Sequence, residues 1–595
     1  MMKKIFFLLA MSVGTMTAMA QEEVPAFPGA EGHARYITGG RGGEIRHVTN
    51  LNDSGTGSLR EALKGDKAKT IVFDVSGYID LKSQLNITSN TTIAGQTAPY
   101  PGITLRYFTI YFGNCDNVIV RYMRFRRSQV KDVNDGADAT WGRKRNQIML
   151  DHCSFSWSID EVASFYDNNN FTMQWCTLGE ALNDAGHNKG KHSFGGIWGG
   201  KLASFHHNLL IHLNNRTPRF NGARYQWGDY TKNMLYDQYK WENYVQAENV
   251  DFRNCLMYNW GDGNGCYGGP GGGYINIVNN YYKAGPGTKN TKRVTQISMG
   301  ESGNSTPSEL IGMSSRYFIH GNYVAAAGNK AANYDWAGVT IDAPKYTIDG
   351  EVYSIDKNHL YGDTVEHKKN TAGDDCIRIK VDGPCPIGDV TTHSAETAYE
   401  KVLAYAGSSL YRDDTDARYV EETATGTVTY TGNKTKIKGI PDTINDPEGT
   451  PDEKCPSFPE LVPQTRSEDF DTDGDGMPDE WETANGLNPN DASDAKAYTL
   501  DTLKGWYTNL EVYMNALVED IMKAGNADAE SAVEEYYPAC VKPTTGISDK
   551  RLHSSIFSTE YFDLKGQRLN VLQKGVMIRV DWLANGKRVV SKVIK

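Results

Sequence analysis

The sequence predicts an all-β chain wound as a parallel β-helix, and three observations lead there. Glycine (60) and tyrosine (34) are plentiful among the 595 residues, which favours a turn-rich β protein over a helical one. Short β-rich runs recur: VRYMRF (120–125), LDHCSF (150–155), MQWCTL (173–178), FHHNLL (205–210), TKNMLYD (231–237), RNCLMYN (253–259), VNNYYK (278–283) and IHGNYV (319–324). Aligned on one slot, they bring Met123, Cys153, Cys176, Asn208, Asn233, Cys255, Asn280 and Asn322 into register at intervals of 30, 23, 32, 25, 22, 25 and 42 residues. A short minimum with irregular additions is how stacked rungs behave, since insertions leave from the turns between strands. Asparagines in the slot suit the stack, because their amides can hydrogen-bond from rung to rung. The runs are too short and too β-rich for a helical solenoid.

The elements follow in chain order. Residues 1–20, MMKKIFFLLAMSVGTMTAMA, read as a signal peptide: Lys3 and Lys4 precede a short apolar run, and Ala18-Met19-Ala20 offers small residues for cleavage. The run is too short to span a bilayer, and no later segment reaches the roughly 18 apolar residues a span needs. The expected protein is exported and soluble, extracellular or at the cell surface, and monomeric. GSLREAL (57–63) reads as a short helix opened by Ser58, and TIVFDVSGYI (70–79) as the next strand, together an N-terminal helical cap over the first rung. The β-helix is expected over residues 21–360. An extension, 361–545, holds an amphipathic helix at AETAYEKVLAYAGSSL (395–410), polar Pro- and Asp-rich chain to about residue 470, and a helical run from Ser493 to Gly525. Residues 546–595 alternate like a small β module. Nine cysteines is an odd number; Cys153, Cys176 and Cys255 lie in apolar runs as buried thiols, while Cys376 and Cys385 could pair.

The net charge of −11 excludes general nucleic-acid affinity, which needs a basic footprint. Locally the charge is segregated. Asp132, Asp135, Asp138, Asp151, Asp160, Glu161 and Asp167 crowd one stretch, whereas Ala185–Arg224 has no acid and carries Lys189, Lys191, Lys201, Arg216, Arg219, Arg224 and five histidines. Rungs stack about 4.8 Å apart, so the two blocks can be neighbours. Acids beside unpaired cations suit a metal ion and an anionic ligand together; equally, acids and bases can pair across rungs.

Motifs add a resemblance. TGGRGGEIRHVTNLNDSGTGSLREAL (38–63), TIAGQTAP (92–99), NVIVRYMRFR (117–126), DHCSFSWSIDE (151–161), GGIWGG (195–200) and RTPRF (216–220) together resemble secreted bacterial pectate lyases of polysaccharide lyase family 1, from about residue 25 to about 535. The resemblance implies a right-handed single-stranded parallel β-helix that cleaves α-1,4-polygalacturonate (pectin) by β-elimination, with Ca2+ bridging protein acids and uronate carboxylates. It places the proton-abstracting arginine on Arg216. Arginine is a poor base at its usual pKa, so that role needs an electropositive setting. Lys191, in KGKHSFGG, matches the substrate-binding lysine, with Lys189 as the near alternative. The third cation of the family pattern is replaced by Asn221, and Arg219 is the alternative cation. For calcium, the first acids correspond to Asp138 and Asp160; the partner four residues on is Ser164, and Glu161 supplies an alternative oxygen. Asp151-His152 also matches a family motif, in a structural role.

A second calcium signal stands apart from that resemblance. DTDGDGMPDEWE (471–482) sets Asp471, Asp473 and Asp475 at loop positions 1, 3 and 5, Gly476 at 6, Asp479 at 9 and Glu482 at 12, the full EF-hand loop spacing. The C-terminal KGVMIRV and KRVVSKVIK resemble the sorting domains that type nine secretion machinery recognises. Two rival functions remain open to the sequence: a polygalacturonase-type hydrolase on a similar β-helix, which needs paired carboxylates, and a non-catalytic glycan-binding β-helix protein.

Overall fold

The computed structural model describes residues 23–133, 138–222, 248–261, 263–270, 273–300, 314–342, 345–348, 351–354, 379–385 and 387–543, with C-terminal strands at 556–562, 568–569, 576–583 and 588–594. The signal-peptide stretch, Asp135, Arg224, Asn233 and Cys376 lie outside them. The chain divides into two compact units, 1–465 with 522–536, and 466–521 with 537–595.

The first unit is a parallel β-helix with three strands per full rung. One sheet stacks Val118–Arg121, Asn146–Asp151, the end of Ala163–Gln174, Ala203–His206, Glu248–Arg253, Gly273–Val278 and Arg316–His320, all in parallel register. A second stacks Arg124–Arg126, Ser154–Ser156, Thr177–Gly179, Leu209–Ile211, Leu256–Tyr258, Tyr281–Lys283 and Tyr323–Val324. The third runs through Thr140–Arg143, the start of Ala163–Gln174, Ile197–Gly200, Arg219–Phe220 and Tyr267–Gly268. The inward positions form one apolar core, with Phe155, Phe165, Phe171, Phe205 and Phe252 fully buried.

The bend between the first two sheets explains the repeat. The residue before each slot is left-handed: Tyr122, His152, Trp175, His207, Asn254, Asn279 and Gly321 all have φ between 50° and 74°. A side chain there costs about 1–2 kcal/mol of backbone strain, offset in this stack by rings lying on one another. Tyr122 stacks on His152 at 4.8 Å, and Trp175 on His207 at 4.2 Å. The slot asparagine then clamps the preceding rung. Asn208 accepts from the Cys176 amide (2.8 Å) and donates to the Met173 carbonyl (3.0 Å). Asn280 repeats this on Cys255 and Phe252, and Asn322 on Asn280 and Ile277.

Some expectations are corrected. Ala203–His206 pairs directly with Glu248–Arg253, and Leu209–Ile211 with Leu256–Tyr258, so these rungs are neighbours in the stack; the run at 231–237 lies outside the described residues. The segment 70–79 is two strands, Lys69–Phe73 and Val75–Asp80, because Asp74 turns the chain from one sheet to the next. The cap helix is present at Leu59–Ala62, with Ser58 accepting from the Glu61 amide. A helix at Ala395–Tyr405 matches the sequence, but a second, Asp414–Thr425, lies in what reads as polar chain. Its partners are ionic: Asp413 and Asp416 meet buried Arg126, and Arg418 meets Glu180.

The run from 493 to 525 is broken into helices Asn509–Ala516, in the second unit, and Glu519–Asn526, whose residues from Met522 on belong to the first. Thr508 and Glu511 form a reciprocal capping box that starts the first of them. The C-terminal strands form a four-stranded antiparallel sheet. Among the described residues no helix is long and apolar enough to cross a membrane. Cys153, Cys176, Cys255 and Cys385 are buried thiols.

Candidate functional site

Four successive rungs build one edge. Thr140 pairs with Ala163, which sets Asp138 beside Glu161, and the Ala139 amide donates to the Glu161 carbonyl at 2.9 Å. Isolated parallel bridges continue the row from Glu161 to Phe194 and from Phe194 to Asn215. The acid block and the basic block of the sequence are therefore spatial neighbours, brought together by rung stacking alone.

Arg216 follows Asn215 in a left-handed conformation (φ 53°), and its amide donates to Asn215 Oδ1 at 2.8 Å. The glycines of GGIWGG permit this turn. A side chain on Gly195 would come within 2.3 Å of the Arg216 carbonyl oxygen, and the Gly196 amide donates to that oxygen at 2.9 Å. The guanidinium lies over the Phe194 ring at 4.3 Å and is ion-paired with Glu161. Arg216 is thus not left for an external anion, as the acid-free sequence around it suggested; its partner arrives from two rungs away.

Asp138, Asp160 and Glu161 bring one carboxylate oxygen each within 4.8 Å of the others, which matches the span of oxygen ligands around a calcium-sized ion. Asp138 is half-buried, and its carboxyl is pushed well above the usual range, first by burial and then by the charge of Asp160. The Ser164 hydroxyl and Arg216 pull the other way. Ser164 therefore occupies the expected acid slot as a donor: its oxygen accepts from the Ile197 amide (3.2 Å) and its hydrogen goes to Asp138. Asp160 Oδ1 is buried without a hydrogen bond. Like charges crowded in this way, with one oxygen unsatisfied, fit a bound cation.

Two histidines that sequence reasoning passed over complete the site. His187 and His192 stack at 3.5 Å, and His192 touches Phe194 at 4.6 Å. His187 Nδ1 accepts from the Lys189 amide (3.0 Å), so its Nε2–H donates to Asp160 Oδ2 (3.2 Å). His192 is set the other way round: Nδ1–H donates to the Gly190 carbonyl (2.9 Å), and Nε2 lies 3.6 Å from Asp160 Oδ1. These tautomers follow from the partners of each ring. Burial holds His187 below its ordinary pKa. Lys189 and Lys191 are exposed on the loop that carries these histidines. Arg219 lies in the third sheet with its guanidinium over the Tyr267 ring at 5.7 Å.

Asp151-His152 is structural, as the family motif implies. Both are buried, and Asp151 takes Arg121 (2.7 Å), His152 (2.7 Å) and Gln174 (2.8 Å), which hold its pKa low against burial.

Comparison with known proteins places the chain in a family. The chain is 30% identical over 510 residues to "Probable pectate lyase C" of Aspergillus fumigatus, covering 83% of this chain and 94% of that protein. It is 31% identical over 500 residues to the protein of the same name from Neosartorya fischeri, with the same coverage. The chain belongs to the pectate lyase family. It is a polysaccharide lyase of pectin degradation. Both relatives are fungal, whereas its motifs resemble bacterial lyases. No family model matches the chain. Among solved structures it is similar to pectate lyase Bsp165PelA from Bacillus sp. N165 in complex with trigalacturonate, at 13% identity and a TM-score of 0.34 over 63% of this chain and 98% of that one. A superposition this loose adds nothing to the strand register already described.

Proposed function

We propose that the protein is a secreted, calcium-dependent pectate lyase that cleaves α-1,4-polygalacturonate by β-elimination to unsaturated oligogalacturonides, with Arg216 drawing off the C5 proton. The observation that carries this reading is the placement of Arg216, on Phe194, at the rim of the Asp138–Asp160–Glu161 cluster. Calcium held by those carboxylates would bridge to a uronate carboxylate and stabilise the charge that develops at C5. Base action at C5 requires Glu161 to release the guanidinium it pairs with. Exposed Lys189 and Lys191, with Arg219, supply positive charge for neighbouring uronates. Export is supported by residues 1–20, and recognition by type nine secretion machinery by the C-terminal β module.

The test is incubation with polygalacturonate and calcium, with and without chelator, following the ultraviolet absorbance of the conjugated uronate product. Chelator-sensitive absorbance is expected. New reducing ends without absorbance would mean a hydrolase and overturn the reading; binding without turnover would mean a glycan-binding protein.

A further inference from the structure

The acidic loop of the second unit is built differently from its sequence spacing. Asp471 acts as the loop's internal cap, accepting from the Gly474 (2.9 Å), Asp475 (3.1 Å) and Gly476 (2.8 Å) amides. Gly474 and Gly476 take the left-handed conformations, φ 73° and 91°, that this tight turn demands. Asp479, at the ninth position, is turned away: its two oxygens accept the amide and hydroxyl of Thr472. In its place comes Asp494, twelve residues beyond the loop's last acid. One oxygen each from Asp475, Glu482 and Asp494 lies within 4.8 Å of the others, and the same holds for Asp471, Asp473 and Asp475.

The buried oxygens point to a ligand. Glu482 is fully buried and Asp475 is 1% exposed. Both oxygens of Glu482, Oδ2 of Asp475 and Oδ1 of Asp494 are buried with no hydrogen bond. A buried charged oxygen left unpaired is strongly unfavourable; unpaired oxygens on three carboxylates gathered this closely make sense around a cation. The donors are all hard carboxylate oxygens, with no nitrogen or sulfur, which selects calcium over zinc or copper. Asp494 is itself fixed, since its other oxygen accepts from the Asn488 amide (3.0 Å) and its carbonyl from the Asn509 side chain (2.8 Å).

We propose that the second unit holds one calcium ion on Asp471, Asp473, Asp475, Glu482 and Asp494, with Asp479 outside its coordination. The ion would tie the loop to the turn that precedes helix Asn509–Ala516, so it orders about 25 residues and not only the twelve of the loop. This site is independent of the lyase reading.

Equilibrium dialysis on the full chain counts bound calcium, and thermal unfolding is followed with calcium and with chelator. Glu482→Gln and Asp494→Asn should each remove one calcium per chain, or weaken it at least tenfold, while Asp479→Asn leaves it bound. In chelator, Asp494→Asn should unfold no lower than the unaltered protein, because an uncompensated charge is gone; with calcium the order should reverse. A purely structural Asp494 would lower stability in both conditions and would overturn the proposal. So would an Asp494→Asn protein that binds normally, or an Asp479→Asn protein that does not. Lyase activity on polygalacturonate should be unchanged in all three variants, and a missing lyase activity in the parent protein leaves this test intact.

Discussion

Acidification should destabilise the β-helix through a chain of neutral imidazoles, and His206 is the place to measure it. His393 Nε2–H donates to the Ala527 carbonyl (3.0 Å), so His393 Nδ1 must accept from His207 Nε2–H (2.9 Å). His207 Nδ1 then accepts from His206 Nδ1–H (2.9 Å), and His206 Nε2 is left buried with no partner. A proton arriving there would be an unpaired charge in the core. Burial accordingly lowers His206 from 6.5 to about 3 and His33 to about 4, with Asp251 pulling up and Arg253 pulling down on both. His207 is lowered too, by burial and then by the neighbouring histidines. The sign follows from linkage: the unfolded chain takes up protons below pH 6.5 and the native rings do not. Stability is therefore full above 6.5 and falls as pH drops, until each folded pKa is passed. Each ring contributes about 1.4 kcal/mol per pH unit in that window, or about 2 kcal/mol between pH 7.5 and 5. Glu31 acts in the opposite sense, because burial raises it to about 7 and the native state binds its proton first. Comparison with His206→Asn cancels that term, since asparagine keeps a donor where Nδ1 stood and cannot ionise. Scanning calorimetry of the β-helix transition at pH 7.5 and 5 should show the variant losing about 2 kcal/mol less, a few degrees in Tm. An unchanged pH slope in the variant would show that His206 is charged or exposed in the native protein, and would refute the reasoning.

Arg216→Lys keeps the charge but loses the planar fork, and should lower lyase turnover by about 10²–10³-fold with folding intact, read from product absorbance. His187→Ala removes the Nε2–H that orients Asp160 and should weaken calcium at the cluster about tenfold; calorimetry in a Glu482→Gln background, with the loop site silenced, would read it. Asn280→Ala strands the Cys255 amide and removes a donor from the Phe252 carbonyl, costing about 2–4 kcal/mol in thermal unfolding.

What could be read from the sequence was whatever had a job repeated in every rung. The asparagine slot was legible because one side chain does the same bonding at Asn208, Asn280 and Asn322. At the site, Asp138, Asp160 and Glu161 were legible as acids in the right order, but their partners were not. His187 and His192 sit in a loop of no periodicity and meet Asp160 only because the rung closes. Helix Asp414–Thr425 escaped because its buried face is charged and answers Arg126, Glu180 and His212. Amphipathic patterning registers apolar faces and is blind to this one.

Charge balance gives the altered acid slot a reason. Asp138, Asp160 and Glu161 present three negative charges against one positive charge on Arg216. A divalent cation would bring that set to neutrality without a fourth carboxylate. An acid at position 164 would break the balance, and it would face Asp138, which is already raised by burial and by Asp160. Ser164 instead gives Asp138 a hydrogen, while His187 gives one to Asp160 and so leaves Oδ1 open. Neutral donors thus do the orienting, and the ionised groups are kept to the number a single cation can compensate. Glu161 is the shared member: it pairs with Arg216 here and, on the proposed reading, would turn to the cation instead. On the proposed reading, the exposed Lys189 and Lys191 would be left to meet the charge that a uronate substrate brings.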